Sequence, residues 1–300
     1  MFLSLALWCL CVRTYPNPAL QPMRIDSHHH FWDYTPEAYG WIGNDMSLLK
    51  RNFGPQDLKP LLEEFNIEGV ISVQARTDEA ENAFLLEHAG SHDSVRGVLG
   101  WFDLAKPDVA EKIARFAEHP KAVGVREVLQ GIEDREYCLR EDFNRGVSVL
   151  HDFGLVYDIL IVGDQLPAAT RFVDRHPAQP FVLDHIAKPV IGPAGVDVIW
   201  EQSIRALAER EHVFCKVSGM VTEVVAGLDD WTPDLLRPWF DVVLDAFGPD
   251  RLMFGSDWPV CLLRGEYADW VQCVDFWIKD LTLEEQRAIQ GRTASKVYGV

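Results

Sequence analysis

The chain has few basic residues. Its 28 Lys and Arg stand against 46 Asp and Glu, for a formal net charge of −18. That balance argues against nucleic acid and anionic membrane surfaces as partners, since both favour clustered positive charge. No apolar run approaches the roughly 20 residues of a membrane-spanning helix. There is no CxxC pair and no close-set cysteine framework; Cys9, Cys11, Cys138, Cys215, Cys261 and Cys273 are scattered. This argues against a disulfide scaffold and favours a reducing, cytoplasmic setting. Internal repeats, low-complexity tracts and linkers are also missing. So is the glycine-rich first turn expected of a doubly wound dinucleotide fold.

What is present is a large apolar fraction, 48% of residues, and a regular alternation of two patterns. Short β-branched runs fall at 24–31, 69–75, 95–101, 122–129, 155–160, 181–185, 213–217 and 252–256. Amphipathic stretches lie between them at 56–65, 79–90, 107–119, 142–153, 165–176, 196–211 and 233–247, and two more follow at 266–279 and 283–297. Near-continuous hydrophobic strands alternating with helices predict an α/β chain of the (β/α)8 TIM-barrel class. The connections 32–49 and 219–232 are long enough to serve as active-site loops. Residues 2–12 are apolar, but no basic residue precedes them and no small-residue cleavage site follows. An irregular signal peptide is one reading. The reading adopted is that residues 1–22 form an extension outside the fold and that the barrel occupies 23–300.

In such a barrel, catalytic groups sit at the C-terminal strand ends. The first strand ends in His28-His29-His30. His28 and His30, two residues apart, share one strand face and make half of a metal site; His29 points the other way and is structural. Later strand ends offer Gln74 and Arg76, Trp101 and Asp103, Arg126 and Glu127, Asp158, Asp184 with His185 and Lys188, Lys216 with Ser218, and Asp257. Each has an ordinary alternative. Asp257 could cap the turn before Pro259, Lys188 could be a surface lysine, and Trp32 and Trp258 could be core aromatics. Of the adjacent Arg126 and Glu127, a regular strand turns only one inward. Asp184 alternates with His185, so it is expected to face away or to brace the histidine.

Together, Ile25-Asp26-x-His28-x-His30-Phe31-Trp32, Gly124-Val125-Arg126-Glu127, Leu183-Asp184-His185-x-x-Lys188-Pro189, Cys215-Lys216-x-Ser218-Gly219 and Phe254-Gly255-Ser256-Asp257-Trp258-Pro259 resemble the amidohydrolase superfamily. More narrowly they resemble its lactonase branch, and the resemblance runs over about residues 23–300. It implies hydrolysis of a sugar lactone, such as L-fuconolactone or L-rhamnonolactone, in carbohydrate catabolism. Asp257 would be the general base and acid, with His185 assisting. His28, His30, Glu127 and Asp257 would hold one divalent ion, Zn²⁺ by expectation. Asp158 stands where many metal-dependent members carry histidine, so a metal-free route in which His28, His30, Arg126 and His185 stabilise the oxyanion stays open. Trp32, Gln74, Arg126, Lys188 and Trp258 are expected to bind the sugar ring, aromatic faces packing on it and polar groups reading hydroxyls. The partner is thus a small-molecule lactone, and a homo-oligomer is left open. The alternatives are hydrolysis of a carboxylated or sulfonated lactone, a decarboxylase on the same barrel, or a barrel that binds a ligand without turning it over.

Overall fold

The computed structural model describes residues 23–228 and 231–300. Eight parallel strands pair in sequence order: β1 (Ile25–His29), β2 (Gly69–Val73), β3 (Val95–Gly100), β4 (Ala122–Val128), β5 (Val156–Leu160), β6 (Phe181–Leu183), β7 (Val213–Val217) and β8 (Leu252–Phe254). The circle closes just beyond β8. There the Asp257 amide donates to His28 O at 2.8 Å, and the His30 amide donates to Trp258 O at 2.7 Å. The expected (β/α)8 barrel is the observed one. Because closure falls on the two segments richest in polar residues, it brings the His28–His30 face and Asp257 together.

Eight helices clothe the strands: α1 (Pro55–Glu64), α2 (Ala80–Ser91), α3 (Val109–Ala117), α4 (Glu141–Asp152), α5 (Leu166–Asp174), α6 (Val198–Ala208), α7 (Pro233–Phe247) and α8 (Tyr267–Ile278). Their inner faces follow from sequence spacing. In α3, Val109, Ile113 and Phe116 are buried, at i, i+4 and i+7. Local chemistry sets the ends. In α7 the Thr232 side chain accepts from Leu235 N, Pro233 occupies the first turn, and Gly248 at φ 71° stops the helix. No helix among the described residues is long and apolar enough to cross a membrane. The expectation for residues 1–22 lies outside the described residues.

The last amphipathic stretch was expected as one helix. It is helical throughout, but widens midway: α9 (Leu283–Arg287) runs through a π-helical turn (Ala288–Arg292) into α10 (Thr293–Tyr298). The cause lies at Gly291. A Cβ there would come 2.3 Å from Met23 O, so the turn is where the chain's end crosses close over its entry into β1.

The core has two compartments. One lies between strands and helices. The other fills the barrel interior with Ile25, Ile71, Val73, Leu99, Val156, Val182 and Met253, joined from α10 by Ala294 and Tyr298. Tyr298 reaches far enough inside for its hydroxyl to meet the buried Asp158 carboxylate on β5, at 2.9 Å. The Lys216 ammonium on β7 meets the same carboxylate and lies 3.1 Å from Asp184. The floor beneath the mouth is therefore a buried, paired charge cluster, not an apolar plug.

Candidate active site

At the C-terminal end of the barrel four side chains converge. His28 Nε2 lies 3.3 Å from His30 Nε2. Asp257 Oδ1 is 3.4 Å from His30 Nε2, 3.7 Å from His28 Nε2 and 3.9 Å from His185 Nε2. All four residues are buried. Two of them sit in left-handed backbone, His185 at φ 52° and Asp257 at φ 58°. That conformation costs a non-glycine residue roughly 1–2 kcal/mol. Such strain collects where a side chain must be aimed at a site.

The strain explains a departure from expectation. Asp184 was expected to face away from the site or to brace the histidine. Val182 fills the barrel interior and Asp184, two residues on, also points inward beneath the site, while His185 reaches the mouth against alternation. The strand ends at Leu183, and His185, Ile186, Ala187 and Lys188 then run through positive φ. Strand alternation no longer holds there. Asp184, ahead of that run, lies under the site, 3.3 Å from His28 Nδ1 and 3.0 Å from Arg126 Nη1. His185 leans over it, with Nδ1 2.8 Å from the Ser218 hydroxyl. Gly219 makes room for this ring, because a Cβ at that position would lie 2.5 Å from His185 Nδ1, and its φ is +65°. Gly219→Ala should displace His185 and lower kcat/KM at least about tenfold, with a stability loss of about 1 kcal/mol or more. Paired kinetic and thermal-melt measurements would show both, and unchanged kinetics would contradict the role given to His185.

Of the adjacent Arg126 and Glu127, Arg126 faces inward. It donates to Asp184 and to Gln74 O, and its Nη1 lies 3.3 Å from His28 Nε2. Glu127 turns outward to accept from Trp101 Nε1 at 2.8 Å and from Val128 N at 2.9 Å. The structure thus does not bring Glu127 to the group of His28, His30 and Asp257 that could hold a metal ion.

The charge states suit hydrolysis. Burial would raise Asp257, but His185, His30 and His28 outweigh it and hold the carboxyl well below the usual range. Burial lowers His185 to about 4 against the pull of Asp257. Burial also holds His28 far below its ordinary value, Asp184 opposing and Lys216 reinforcing the shift. At neutral pH Asp257 is a carboxylate and the His28 and His185 rings are neutral.

These residues fit a zinc ion. Donors about 2.0–2.2 Å from a tetrahedral ion stand roughly 3.3–3.6 Å apart, and the three pairs among His28, His30 and Asp257 are at 3.3, 3.4 and 3.7 Å. His30 Nδ1 lies 2.7 Å from Val73 O. A carbonyl only accepts, so Nδ1 carries the proton and the Nε2 lone pair faces the site, the arrangement a ligating histidine needs. His28 Nδ1 lies 3.3 Å from Asp184, and its Nε2 would exchange its 3.3 Å contact with Arg126 Nη1 for the ion.

Above the cluster opens a cleft of about 550 Å³. His30, Arg126, His185, Lys188 and Asp257 line it, with Trp41, Arg76, Gln130, Val128 and Leu160 among the remaining walls. Three residues expected to bind the ring are placed elsewhere. Trp32 is fully buried, its Nε1 donating to Leu49 O and Arg51 O. Trp258 packs edge-on against Phe31 and Phe53. Gln74 is buried and donates to Arg126 O. The exposed aromatic at the rim is Trp41 instead, from the loop after β1.

Two buried acids outside the expected set organise the site. Asp26 accepts from the backbone amides of His28 and Ser256 and from Tyr267, tying β1 to the turn after β8. Burial raises its pKa to about 6, against those bonds. Glu81, from α2, holds Arg76 at 2.8 Å. Asp26 lay within the first motif, but a strand acid beside two histidines draws no notice by itself. Glu81 read as an ordinary first-turn helix acid.

A parallel barrel closed over a buried histidine–aspartate cluster defines a hydrolase of the metal-dependent barrel type. The chain belongs to the amidohydrolase family, whose family model matches residues 25–300. It is 40% identical over 291 residues to the L-fucono-1,5-lactonase of Burkholderia multivorans, covering 93% of this chain and 96% of that protein. It is 36% identical over 249 residues to the L-fucono-1,5-lactonase of Burkholderia ambifaria, 82% of this chain and 84% of that one. Among solved structures, an amidohydrolase from Burkholderia multivorans with bound Zn superposes with a TM-score of 0.89 at 40% identity, over 93% of this chain and 99% of that one.

Proposed function

We propose that this chain hydrolyses a sugar lactone, L-fucono-1,5-lactone or a close aldonolactone, to the open sugar acid. The observation that carries the reading is the convergence of Asp257 Oδ1 on three buried imidazoles at the barrel's closure. Asp257, ionised and desolvated, takes the proton of the attacking water and returns it to the ring oxygen as the ring opens. The Arg126 guanidinium and the His185 ring border the same space and stabilise charge on the carbonyl oxygen. His28, His30 and Asp257 would hold a zinc ion, which when bound supplies Lewis-acid polarisation and a water of lowered pKa.

The cleft's cations support a neutral substrate. Arg76 is paired with Glu81, Arg126 with Asp184, and Lys188 with Glu223 at 2.7 Å. Each cation's charge is already balanced by a carboxylate, so a carboxylated or sulfonated lactone would meet no unpaired positive charge among these three. The curated relatives' names favour the same substrate class. The catalytic unit is taken as residues 23–300, with residues 1–22 outside it. A cytoplasmic setting suits Cys138, Cys215, Cys261 and Cys273, which are all free and buried.

Proton release on mixing purified protein with L-fucono-1,5-lactone tests the reaction, with a dicarboxylated lactone as comparison. Rapid opening of the sugar lactone alone is expected. Preference for the dicarboxylated lactone would overturn the reading. Exhaustive chelation should lower the rate at least about a hundredfold, and added Zn²⁺ should restore it.

A further inference from the structure

The cleft is not uniform around its rim, and its β4–β5 side differs from the rest. In a barrel ordered β1 to β8, that side stands opposite the β8–β1 closure where Asp257, His28 and His30 meet. Arg126 on β4 touches the catalytic cluster, at 3.3 Å from His28 Nε2. The next inward position on the same strand is Val128, two residues or about 6.6 Å further toward the mouth. Its register partner on β5 is Leu160. Both line the cleft, so two branched apolar side chains stand side by side about 6.6 Å beyond Arg126, across the mouth from Asp257. Gln130, in the turn directly after β4, lines the same side, and its buried Oε1 has no hydrogen-bond partner. A buried acceptor without a donor costs free energy unless a ligand supplies one. The rim over β1 and β2 is mixed, with Glu37, Arg76 and Asp78 beside Ala38, Trp41 and Ala75.

From this arrangement we infer a specificity subsite. Val128 and Leu160 receive the terminal methyl of a 6-deoxy lactone, and Gln130 Oε1 accepts a hydrogen bond from the neighbouring ring or side-chain hydroxyl. The inference rests on the lactonase reading and sharpens it: the enzyme selects the deoxy lactone over the same lactone with a hydroxyl on its sixth carbon. That hydroxyl would be pressed against two apolar side chains with no partner. An apolar pocket discriminates against such an added hydroxyl by roughly 10- to 100-fold.

The test compares kcat/KM for L-fucono-1,5-lactone and its 6-hydroxy counterpart in the full-length enzyme, in Val128→Thr and in Leu160→Asn. Both lactones are measured on one preparation, so a partly misfolded variant cancels from the ratio, and Val128→Thr keeps the side chain's shape. The wild type should favour the deoxy lactone at least about tenfold, and each variant should bring the ratio to within about threefold. Gln130→Leu should lower kcat/KM for both lactones while leaving their ratio near the wild-type value. If both lactones are opened with equal efficiency, or if the ratio survives both β4–β5 variants, the subsite is overturned and the lactonase reading stands. If neither lactone is opened, the reading itself fails and the subsite with it.

Discussion

Asp257→Asn should lower kcat by about 10²–10⁴ while the protein stays folded. The substitution keeps the side chain's size and its place beside the three imidazoles, but an amide cannot take a proton from water. No other described carboxylate can replace it. Asp184, the nearest candidate, is held between Arg126, Lys216 and His28. Asp158 lies beneath it, bonded to Lys216 and Tyr298. The thermal midpoint should move by no more than a few degrees. A folded Asp257→Asn enzyme with near-normal turnover would remove the base from the mechanism.

Lys216→Met should produce the largest loss of stability. Lys216 is fully buried, contacts Asp158 and Asp184, and lies 3.2 Å from His28 Nδ1. Methionine fills similar volume but leaves two buried carboxylates facing each other without their shared cation. Removing one partner from a buried ion pair costs about 3–5 kcal/mol. For a domain of this size that is roughly 6–20 °C in Tm. Adding Asp158→Asn should recover part of the loss, because the amide can still accept from Tyr298 without charge. A single variant that melts within about 2 °C of wild type would show that the cluster is not held by this ammonium.

The barrel was legible in the sequence because each strand is a compact β-branched run and each helix carries its own apolar spacing. The site was legible where side-chain direction follows strand geometry. His28 and His30 share a face while His29 turns away to meet Ser72 at 2.8 Å. Of Arg126 and Glu127, one faces in. Legibility failed where the chain leaves regular structure. The left-handed run His185–Lys188 turns His185 into the site beside an inward Asp184, and nothing in Asp-His-Ile-Ala-Lys announces it. Depth was equally hidden. Trp32 and Trp258 flank the motif residues, but whether an indole lines a cleft or fills a core depends on what packs over it. Trp41 and Gln130 come from connections whose paths the strand pattern does not specify.

The central claim is that water, activated at Asp257, attacks the lactone carbonyl. Ring opening of L-fucono-1,5-lactone in ¹⁸O-water tests it most directly. The account predicts one labelled oxygen, located in the product carboxylate and formed far above the spontaneous rate. Label on the released hydroxyl, or product no faster than in enzyme-free solution, would contradict it.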